Sequence, residues 1–335
     1  MRKLASIQVI HGIAPIQNAD AIELVSVLGW KVVVKKDQFK NGDRCVYIEI
    51  DSVVPYETNS AFAFMAERKG RVRTIKLRGQ VSQGIVFPLD ALGIDQNIEI
   101  GTDVTEQLGI TKFEDFTAAN TMDAEGHWPG YLCRSDQERL QNFDDGRFAD
   151  LKNHLWELTC KVDGTSITLS YYKGEIKTCS RNLAMKRVDG SFYKYLEDQW
   201  HIITNLTAYC EQSGLNIAIQ GEHIGPKVQG NYYGLNAPAW KIFDIWDIDR
   251  QLFVTPSERY KLLDAMKLTE FCTPLIGRNF DLSGFSMDQL IEMADGESLI
   301  AKGKNREGIV WKAEDDGMLH FKTVSNKYLL KTQRS

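Results

Sequence analysis

Long hydrophobic runs are missing from this 335-residue chain; Ile85-Val86-Phe87 is typical of the apolar stretches it has. Nothing approaches the roughly 18 uninterrupted apolar residues of a membrane-spanning helix, so no membrane partner is expected. Cysteine pairs are missing too. The six cysteines, at positions 45, 133, 160, 179, 210 and 272, stand singly with no Cys-x-x-Cys. That argues against a zinc site and a disulfide framework, and fits a reducing compartment, cytoplasmic or otherwise intracellular. The first eight residues, Met1 to Gln8, turn polar at once and read as a strand, not a signal peptide. Four catalytic signatures are absent: Gly-x-x-x-x-Gly-Lys-Ser/Thr, Gly-x-Gly-x-x-Gly after a strand, His-Glu-x-x-His and Gly-x-Ser-x-Gly. Phosphate-loop, dinucleotide-fold, zincin and hydrolase-elbow chemistries therefore have no support.

What is there belongs to a folded protein. Hydrophobic residues make up 43% and charged residues 25%, ordinary globular values, and the length calls for two domains. Net charge is −5, from 40 basic and 45 acidic side chains, which alone speaks weakly against a nucleic-acid partner. The distribution says more. Residues 1–110 hold 13 basic and 13 acidic groups, so the whole deficit lies beyond them. Within 68–78 stand Arg68, Lys69, Arg71, Arg73, Lys76 and Arg78, with no acid. By itself the run reads equally as a solvated strand face or as a contact for a phosphate backbone. Arg71 and Arg73 share one strand face while Lys76 and Arg78 fall on the other, so aligning them needs a bulge or bend.

The first 110 residues read as short strands: Leu4–Ile10, Ile22–Val27, Lys31–Lys35, Arg44–Ile50, Arg71–Leu77 and Ile85–Phe87. Turn signals at Asn18-Ala19-Asp20, Gly29 and Asn41-Gly42-Asp43 separate them. Five or six such strands without a strong helix predict a small OB-like β-barrel. Residues 111–150 show no strand pattern and are expected to be a connector and the edge of the next domain. From 151 to 335 longer strands alternate with helices. Leu155–Cys160, Ser166–Tyr172 and Glu175–Cys179 predict a strand and a hairpin turning at Lys173-Gly174. Apolar residues at 192, 196, 200, 203, 206 and 210 predict one helix over 192–210, stopped at Gly214. Ile217–Ile219 and Trp240–Trp246 are buried-type strands. Thr255-Pro256-Ser257-Glu258 is a capping box opening a helix through Met266, and Ser286-x-x-Gln289 opens a shorter one. Gly308–Trp311 and Met318–Thr323 are closing strands. The second domain is therefore expected to be α+β, mostly antiparallel.

Chemistry gathers after position 155. Lys161-Val162-Asp163-Gly164 follows an apolar strand, so the amine projects into a cleft while Asp163-Gly164 turns the chain back. Such an amine becomes a nucleophile once desolvation and neighbouring cations lower its pKa. A Lys-x-Asp-Gly arises by chance in roughly one chain in ten of this length, and alone it is a surface lysine before a turn. More follows in order. Ser180-Arg181-Asn182 ends a hairpin, Gln220-Gly221-Glu222 puts a carboxylate at a strand end, and Phe243-Asp244 brings an aromatic. Arg306-Glu307-Gly308-Ile309-Val310-Trp311-Lys312 adds a second carboxylate before a strand, and Phe321-Lys322 lies on the last one. Two strand-end carboxylates with lysines and an arginine suit a magnesium–triphosphate site. Other features read blandly. Asp244-x-x-Asp247-x-Asp249 lacks the glycine and terminal glutamate of a calcium loop and reads as a polar hairpin turn. His154 and His223 read as ordinary hydrogen-bonded histidines, Trp240, Trp246 and Trp311 as core, and Cys160 as a small packed residue.

The ordered set Lys161-x-Asp163-Gly164, Ser180-Arg181-Asn182, Gly221-Glu222, Phe243-Asp244, Glu307-Gly308-Ile309-Val310 and Lys322 resembles the successive motifs of the covalent nucleotidyltransferases, which include polynucleotide ligases and mRNA capping enzymes. The barrel-like part comes first and only 13 residues follow Lys322. That order, with Asp136-Gln137-Glu138-Arg139 ahead of the lysine, resembles the ATP-dependent RNA ligases of the Deinococcus and Naegleria type. The resemblance implies an N-terminal OB domain over 1–110 that binds nucleic acid, and an ATP-grasp-like ligase domain of antiparallel sheets with flanking helices over 151–335. It implies ATP with Mg2+ or Mn2+ and an RNA partner, a nicked duplex, sealed 3′-hydroxyl to 5′-phosphate by a monomer. Lys161 would take AMP, Asp163 would orient it, and Lys322 would neutralise the α-phosphate. Gly164, Arg181, Asn182, Glu222, Phe243, Glu307, Lys322 and Arg139 would bind nucleotide, with Phe243 on the adenine. Glu222, Glu307 and Asp163 would hold the metal directly or through water, and the 68–78 cations would meet the RNA. Such ligases often carry two lysines one residue apart in the last motif; here the second charge falls to His320 or Lys327, or is missing. A capping-type guanylyltransferase, a DNA ligase and a non-catalytic binding protein on a ligase fold are the alternatives.

Overall fold

The structure, a computed structural model, describes residues 3–113 and 123–332. Part of the expected connector, 114–122, lies outside the described residues, as do 1–2 and 333–335 at the ends of the expected domains. The chain divides into two compact units: Met1–Thr117 with Leu140–Phe148 and Asn326–Ser335, and Ala118–Arg139 with Ala149–Ser325.

In the first unit the strands are β1 (Ala5–Pro15), β2 (Ile22–Val27), β3 (Trp30–Lys35), β4 (Arg44–Ile48), β5 (Ser52–Val53), β6 (Thr74–Leu77), β7 (Gln80–Gln83), β8 (Ile85–Pro88) and β9 (Thr111–Lys112). Alternation makes one face of β2 and β3 apolar, burying Val25, Val27 and Trp30, whereas β1 and β4 are buried more continuously, with Ile7, Ile10, Val46 and Ile48 in the core. An antiparallel sheet runs in the order β3-β2-β1-β4-β8. Strand β1 pairs with β4 over Ala5–Val9 and with β2 over Ile10–Pro15, shifting register between Ile10 and Gly12. Such a bulge bends the strand and hands it from one neighbour to the next. The N–H of Val33 on β3 donates to Ser82 Oγ on β7 at 3.0 Å. The expected OB-like barrel is borne out as this curled half-barrel.

The basic run departs from expectation. It is not one strand: Arg68 closes a 3-10 helix (Ser60–Arg68), Lys69 takes a left-handed φ of 49°, and strand geometry begins only at Thr74. Arg71 makes an isolated bridge to Val53 and its guanidinium lies 3.5 Å above the Phe113 ring. Strands β6 and β7 turn through Arg78-Gly79 with φ of 46° and 85°, the conformation that matches strand twist in a two-residue hairpin. The left-handed turn at Lys69-Gly70 replaces the bulge that parity demanded. Arg68, Lys69, Lys76 and Arg78 are exposed, whereas Arg71 and Arg73 are half-buried.

The second unit starts with β10 (Ala124–His127) and β11 (Glu138–Arg139), strands within a region expected to have none. Each is short and polar, so neither has a periodic signal; they form because longer strands offer an edge. Helix α1 (Asp145–Leu151) leads into β12 (Leu155–Lys161), followed by β13 (Thr165–Tyr172), β14 (Glu175–Cys179), β15 (Leu183–Met185), α2 (Phe192–Trp200), α3 (Ile202–Ser213), β16 (Ile217–Ile224), β17 (Ala239–Asp247), β18 (Leu252–Phe253), α4 (Pro256–Ala265), β19 (Leu275–Asp281), α5 (Met287–Met293), β20 (Gly308–Ala313) and β21 (His320–Val324). One sheet runs β10-β15-β14-β13-β16-β17-β18 and another β11-β21-β20-β12-β19; among these ladders only β11–β21 is parallel. The mixed, mostly antiparallel architecture is as expected.

The predicted single helix over 192–210 is two. His201 sits at φ 51°, ending α2, and the Glu197 carboxylate accepts the N–H groups of Ile203 and Thr204 at 2.9 and 3.0 Å, capping α3. The apolar spacing runs on across the break because both helices pack Leu196, Ile202, Ile203 and Leu206 into one core with Ile219, Trp240 and Ile242. Ser286 caps α5 with Gln289 in a reciprocal capping box; Thr255 caps α4 by accepting from the Glu258 N–H, but the predicted box there is only half made, since the Glu258 carboxylate pairs with Arg250. The last helix, α6 (Asn326–Thr332), buries Tyr328 and Leu329 and groups with the first unit, against β6.

Candidate active site

Lys161 is the last residue of β12, opposite Gly308 of β20. Glu307 stands immediately before β20, and its carboxylate meets the Lys161 amine, Nζ to Oε1, at 2.5 Å. Gly308 has to be glycine, since a Cβ there would lie 2.2 Å from the carbonyl oxygen of Thr323. Gly164 is required for a similar reason: a Cβ would lie 2.3 Å from His223 O. That close approach lets the turn after Lys161 press against β16, where Glu222 stands opposite Ser166. The N–H of Asp163 donates to Tyr233 Oη at 2.9 Å.

Charge in this cluster is tuned by burial and by neighbours. Burial acts to lower the Lys161 pKa, but Glu307, then Glu222 and Asp163, outweigh it, and the amine is held above its ordinary value. The expectation of a lowered pKa is thus corrected: the neighbours are carboxylates, not cations. Burial pushes Glu222 up to about 8, against the pull of Lys161. Cys160 is buried and its thiol is raised by desolvation, so it is the packed residue expected.

A cavity of about 310 Å³ opens beside Lys161. Of the predicted residues, Gly164, Arg181, Glu222, Phe243 and Lys322 line it with Lys161, whereas Asp163, Asn182, Glu307 and Arg139 do not. Glu307 reaches the site through Lys161. Asn182 is exposed, and Arg139 is buried on β11 in register with Lys322. Arg181 is exposed and paired with Asp136 at 2.7 Å. His320 stands two residues before Lys322, opposite Lys312; burial holds its imidazole below the usual range, so it is a poor second cation at neutral pH.

Phe243 owes its position to a bulge. Gln220 opposes Asp244 and Gly221 opposes Ile242, so Phe243 is the extra residue on β17. Its carbonyl, released from the ladder, accepts from Lys312 Nζ and from Arg259 Nη1. Lys312 also pairs with Asp244, and Arg259 makes a two-pronged bond to Glu157 at 2.8 and 2.7 Å. All four charged side chains are at most 3% exposed. The sequence reading put Asp244 in a motif and a polar turn, and assigned Glu157, Arg259 and Lys312 no role in a buried network. The available signal was a charge inside an apolar strand: Glu157 within Leu155–Cys160, and Lys312 after Ile309-Val310-Trp311. Ser135, Gln137, Ser166 and Thr273 also line the cavity unforeseen.

Elsewhere, Trp240, Trp246 and Trp311 are core as expected. Asp247 accepts the Arg250 N–H in the β17–β18 turn, while Asp244 belongs to the buried network and not to that turn. His154 bonds Asp315 at 2.9 Å. His223 departs from expectation: it stacks on Phe192 with centroids 3.4 Å apart, and its buried Nε2 has no hydrogen-bond partner among the described residues.

A divalent cation is implied by the resemblance, and the residues fit one only in part. Among the described residues no group of three or more His, Cys, Asp or Glu is arranged to hold a metal by itself. Glu307 Oε2, however, is buried with no hydrogen-bond partner among the described residues, and Glu222 and Asp163 add carboxyl groups to the same cluster. Magnesium and manganese keep several waters and share their shell with phosphates, so one or two protein carboxylates suffice. The donor set fits that kind of site.

Comparison with known proteins agrees with this geometry. An OB-fold domain profile matches residues 4–89, and an RNA ligase profile matches residues 154–329. No curated protein matches the chain. Among solved structures, Naegleria gruberi RNA ligase with pyrophosphate is 36% identical, covers 100% of both chains and superposes with a TM-score of 0.91. A mutant of that enzyme with ATP and manganese is 36% identical over 98% of this chain and 99% of that one, TM-score 0.90. Another with AMP and manganese is 35% identical over 100% of both chains, TM-score 0.90. A half-barrel ahead of a lysine–carboxylate cavity, with similarity over the full length, makes this chain a member of the RNA ligase family.

Proposed function

We propose that the chain seals RNA 3′-hydroxyl and 5′-phosphate ends, at nicks in duplexes, using ATP and a divalent metal, through AMP carried on Lys161. The observation behind this reading is the Lys161–Glu307 contact of 2.5 Å at the edge of a cavity that also presents Glu222, Arg181, Phe243 and Lys322. In the first step the Lys161 nitrogen attacks the α-phosphorus of ATP. A P–N bond forms, the bond to the β-phosphate oxygen breaks and pyrophosphate leaves. The amine must first lose a proton, and Glu307 Oε1 is the acceptor within reach. Phe243 packs on the adenine, and Arg181 and Lys322 meet phosphate oxygens, stabilising charge that grows in the transition state. Glu222, Glu307 and Asp163 would hold the metal through its waters, and it supplies positive charge at the phosphates. An RNA 5′-phosphate oxygen then takes AMP from Lys161, and a 3′-hydroxyl displaces AMP to join the strands.

The RNA is proposed to meet the half-barrel of residues 1–110 at the cations of 68–78, with 111–150 as connector and 151–335 as the nucleotidyl-transferring part. The protein is taken to act as a monomer inside the cell. Incubation with magnesium and α-labelled ATP or GTP, followed by denaturing electrophoresis, tests the first step. Label from ATP on the unaltered chain and none on Lys161→Ala is the expected result. Label from GTP alone moves the chemistry to capping, and no label on folded protein free of bound AMP ends the reading.

A further inference from the structure

One wall of the cavity is a hydrogen-bond chain whose proton order is forced. Lys312 is an ammonium that can only donate, and it donates to Asp244 Oδ1 and to the Phe243 carbonyl. Asp244 Oδ1 is the acceptor of the Lys312 bond, and its Oδ2 faces Ser135. The contact between Asp244 Oδ2 and Ser135 Oγ uses the serine proton. With its proton spent, Ser135 Oγ can only accept, and it does so from Gln137 Nε2 at 2.6 Å. The amide of Gln137 is thus pinned by its nitrogen, and its oxygen points the other way. The same segment is clamped a second time. Gln220 Oε1 accepts the Ser135 N–H at 3.2 Å and Gln220 Nε2 donates to Cys133 O at 2.6 Å.

Gln137, Ser135 and Phe243 line the same cavity as Lys161. Gln137 Oε1 has no partner among the described residues, yet it is not among the atoms buried without one, so it is accessible. Asp244, the anchor of the chain, adjoins Phe243. A fixed acceptor beside the aromatic that packs on the base suits an exocyclic amine and opposes a carbonyl at the same position. We propose that Gln137 is a specificity-determining residue that accepts a hydrogen bond from the 6-amino group of adenine, with Lys312, Asp244 and Ser135 setting the orientation of its amide. This rests on the reading of the cavity as the ATP site.

The test measures binding, using Lys161→Met protein, which cannot form the covalent bond, in magnesium by titration calorimetry. Three triphosphates vary the group at position 6: ATP with an amine, purine riboside triphosphate with hydrogen and the same N1 acceptor, and inosine triphosphate with oxygen and a proton on N1. ATP is expected to bind roughly five- to tenfold tighter than purine riboside triphosphate, the worth of one hydrogen bond, with inosine triphosphate no better than the latter. Adding Gln137→Ala should bring all three affinities together. Ser135→Ala, a smaller change, frees the amide to turn and should narrow the gap between ATP and inosine triphosphate. Equal binding of the three to the Lys161→Met protein, or a preference for ATP that survives Gln137→Ala, overturns the assignment. If ATP binds and Lys161 takes label while those ratios stay put, only the role of Gln137 falls. If ATP neither binds nor labels, the ATP reading falls and takes this inference with it.

Discussion

At Glu222 burial and neighbouring charge run against each other. Burial raises its carboxyl to about 8, Lys161 pulls it down, and Glu307 and Asp163 push it up again. The folded chain therefore holds this proton more tightly than the unfolded chain, whose carboxyl titrates near 4.5. Its stabilising contribution is complete below that value and is lost as pH rises through about 8. Glu222→Gln, which keeps the shape and removes the titration, should gain about 4 kcal/mol more over the unaltered protein at pH 8.5 than at pH 5. Thermal unfolding of both proteins at the two pH values decides it: a difference in Tm that does not grow with pH contradicts the buried proton. Residues of this kind were legible as types and not as states. The spacing of Lys161, Glu222 and Glu307 announced a lysine among strand-end carboxylates. It could not announce that the carboxylates would leave the amine charged.

At the level of elements, the bulge at Phe243 shows how a strand presents a side chain it would otherwise point elsewhere. An extra residue in β17 leaves a carbonyl without a ladder partner, and two buried cations take it. Lys312→Met removes one of them and leaves Asp244 buried beside an apolar chain. Breaking a buried pair from one side costs about 3–5 kcal/mol, so urea unfolding should shift by that much, with weaker ATP binding as Phe243 loses its hold. A loss below about 1 kcal/mol would show that water reaches Asp244 and that the pair is not truly closed off. Most elements were legible because their signals are local: β2 and β14 fall where alternation put them, and α4 and α5 begin at their capping residues. The break at His201 was not. No glycine or proline marks it, and the carboxylate that caps the second helix belongs to the first.

For the molecule as a whole, net charge misleads. The total is −5, yet Arg68, Lys69, Lys76 and Arg78 are exposed together in the first unit. If these four meet RNA phosphates, each released counterion contributes about 0.9 to the salt slope on a duplex. Replacing all four by glutamine should then flatten the plot of log affinity against log salt by about 3–4 for a nicked duplex. A slope unchanged within 0.5 or so would mean that the RNA lies elsewhere. Arg71 and Arg73 belong in a different class: both are half-buried, and Arg71 covers Phe113, so their replacement tests packing as much as binding.

The sequence by itself determined what depends on neighbours in the chain: strand period, capping residues, and the order in which chemical groups arrive from Lys161 to Lys322. Tertiary structure alone decided what depends on residues that meet across it. Lys161 and Glu307 are 146 positions apart and Lys312 and Asp244 are 68 apart, so no local pattern records either pairing. The charge on the lysine, the bulge that turns Phe243 into the cavity and the direction of the Gln137 amide all follow from such pairings. They were settled by burial, which makes each unpaired charge or donor costly enough to choose its partner.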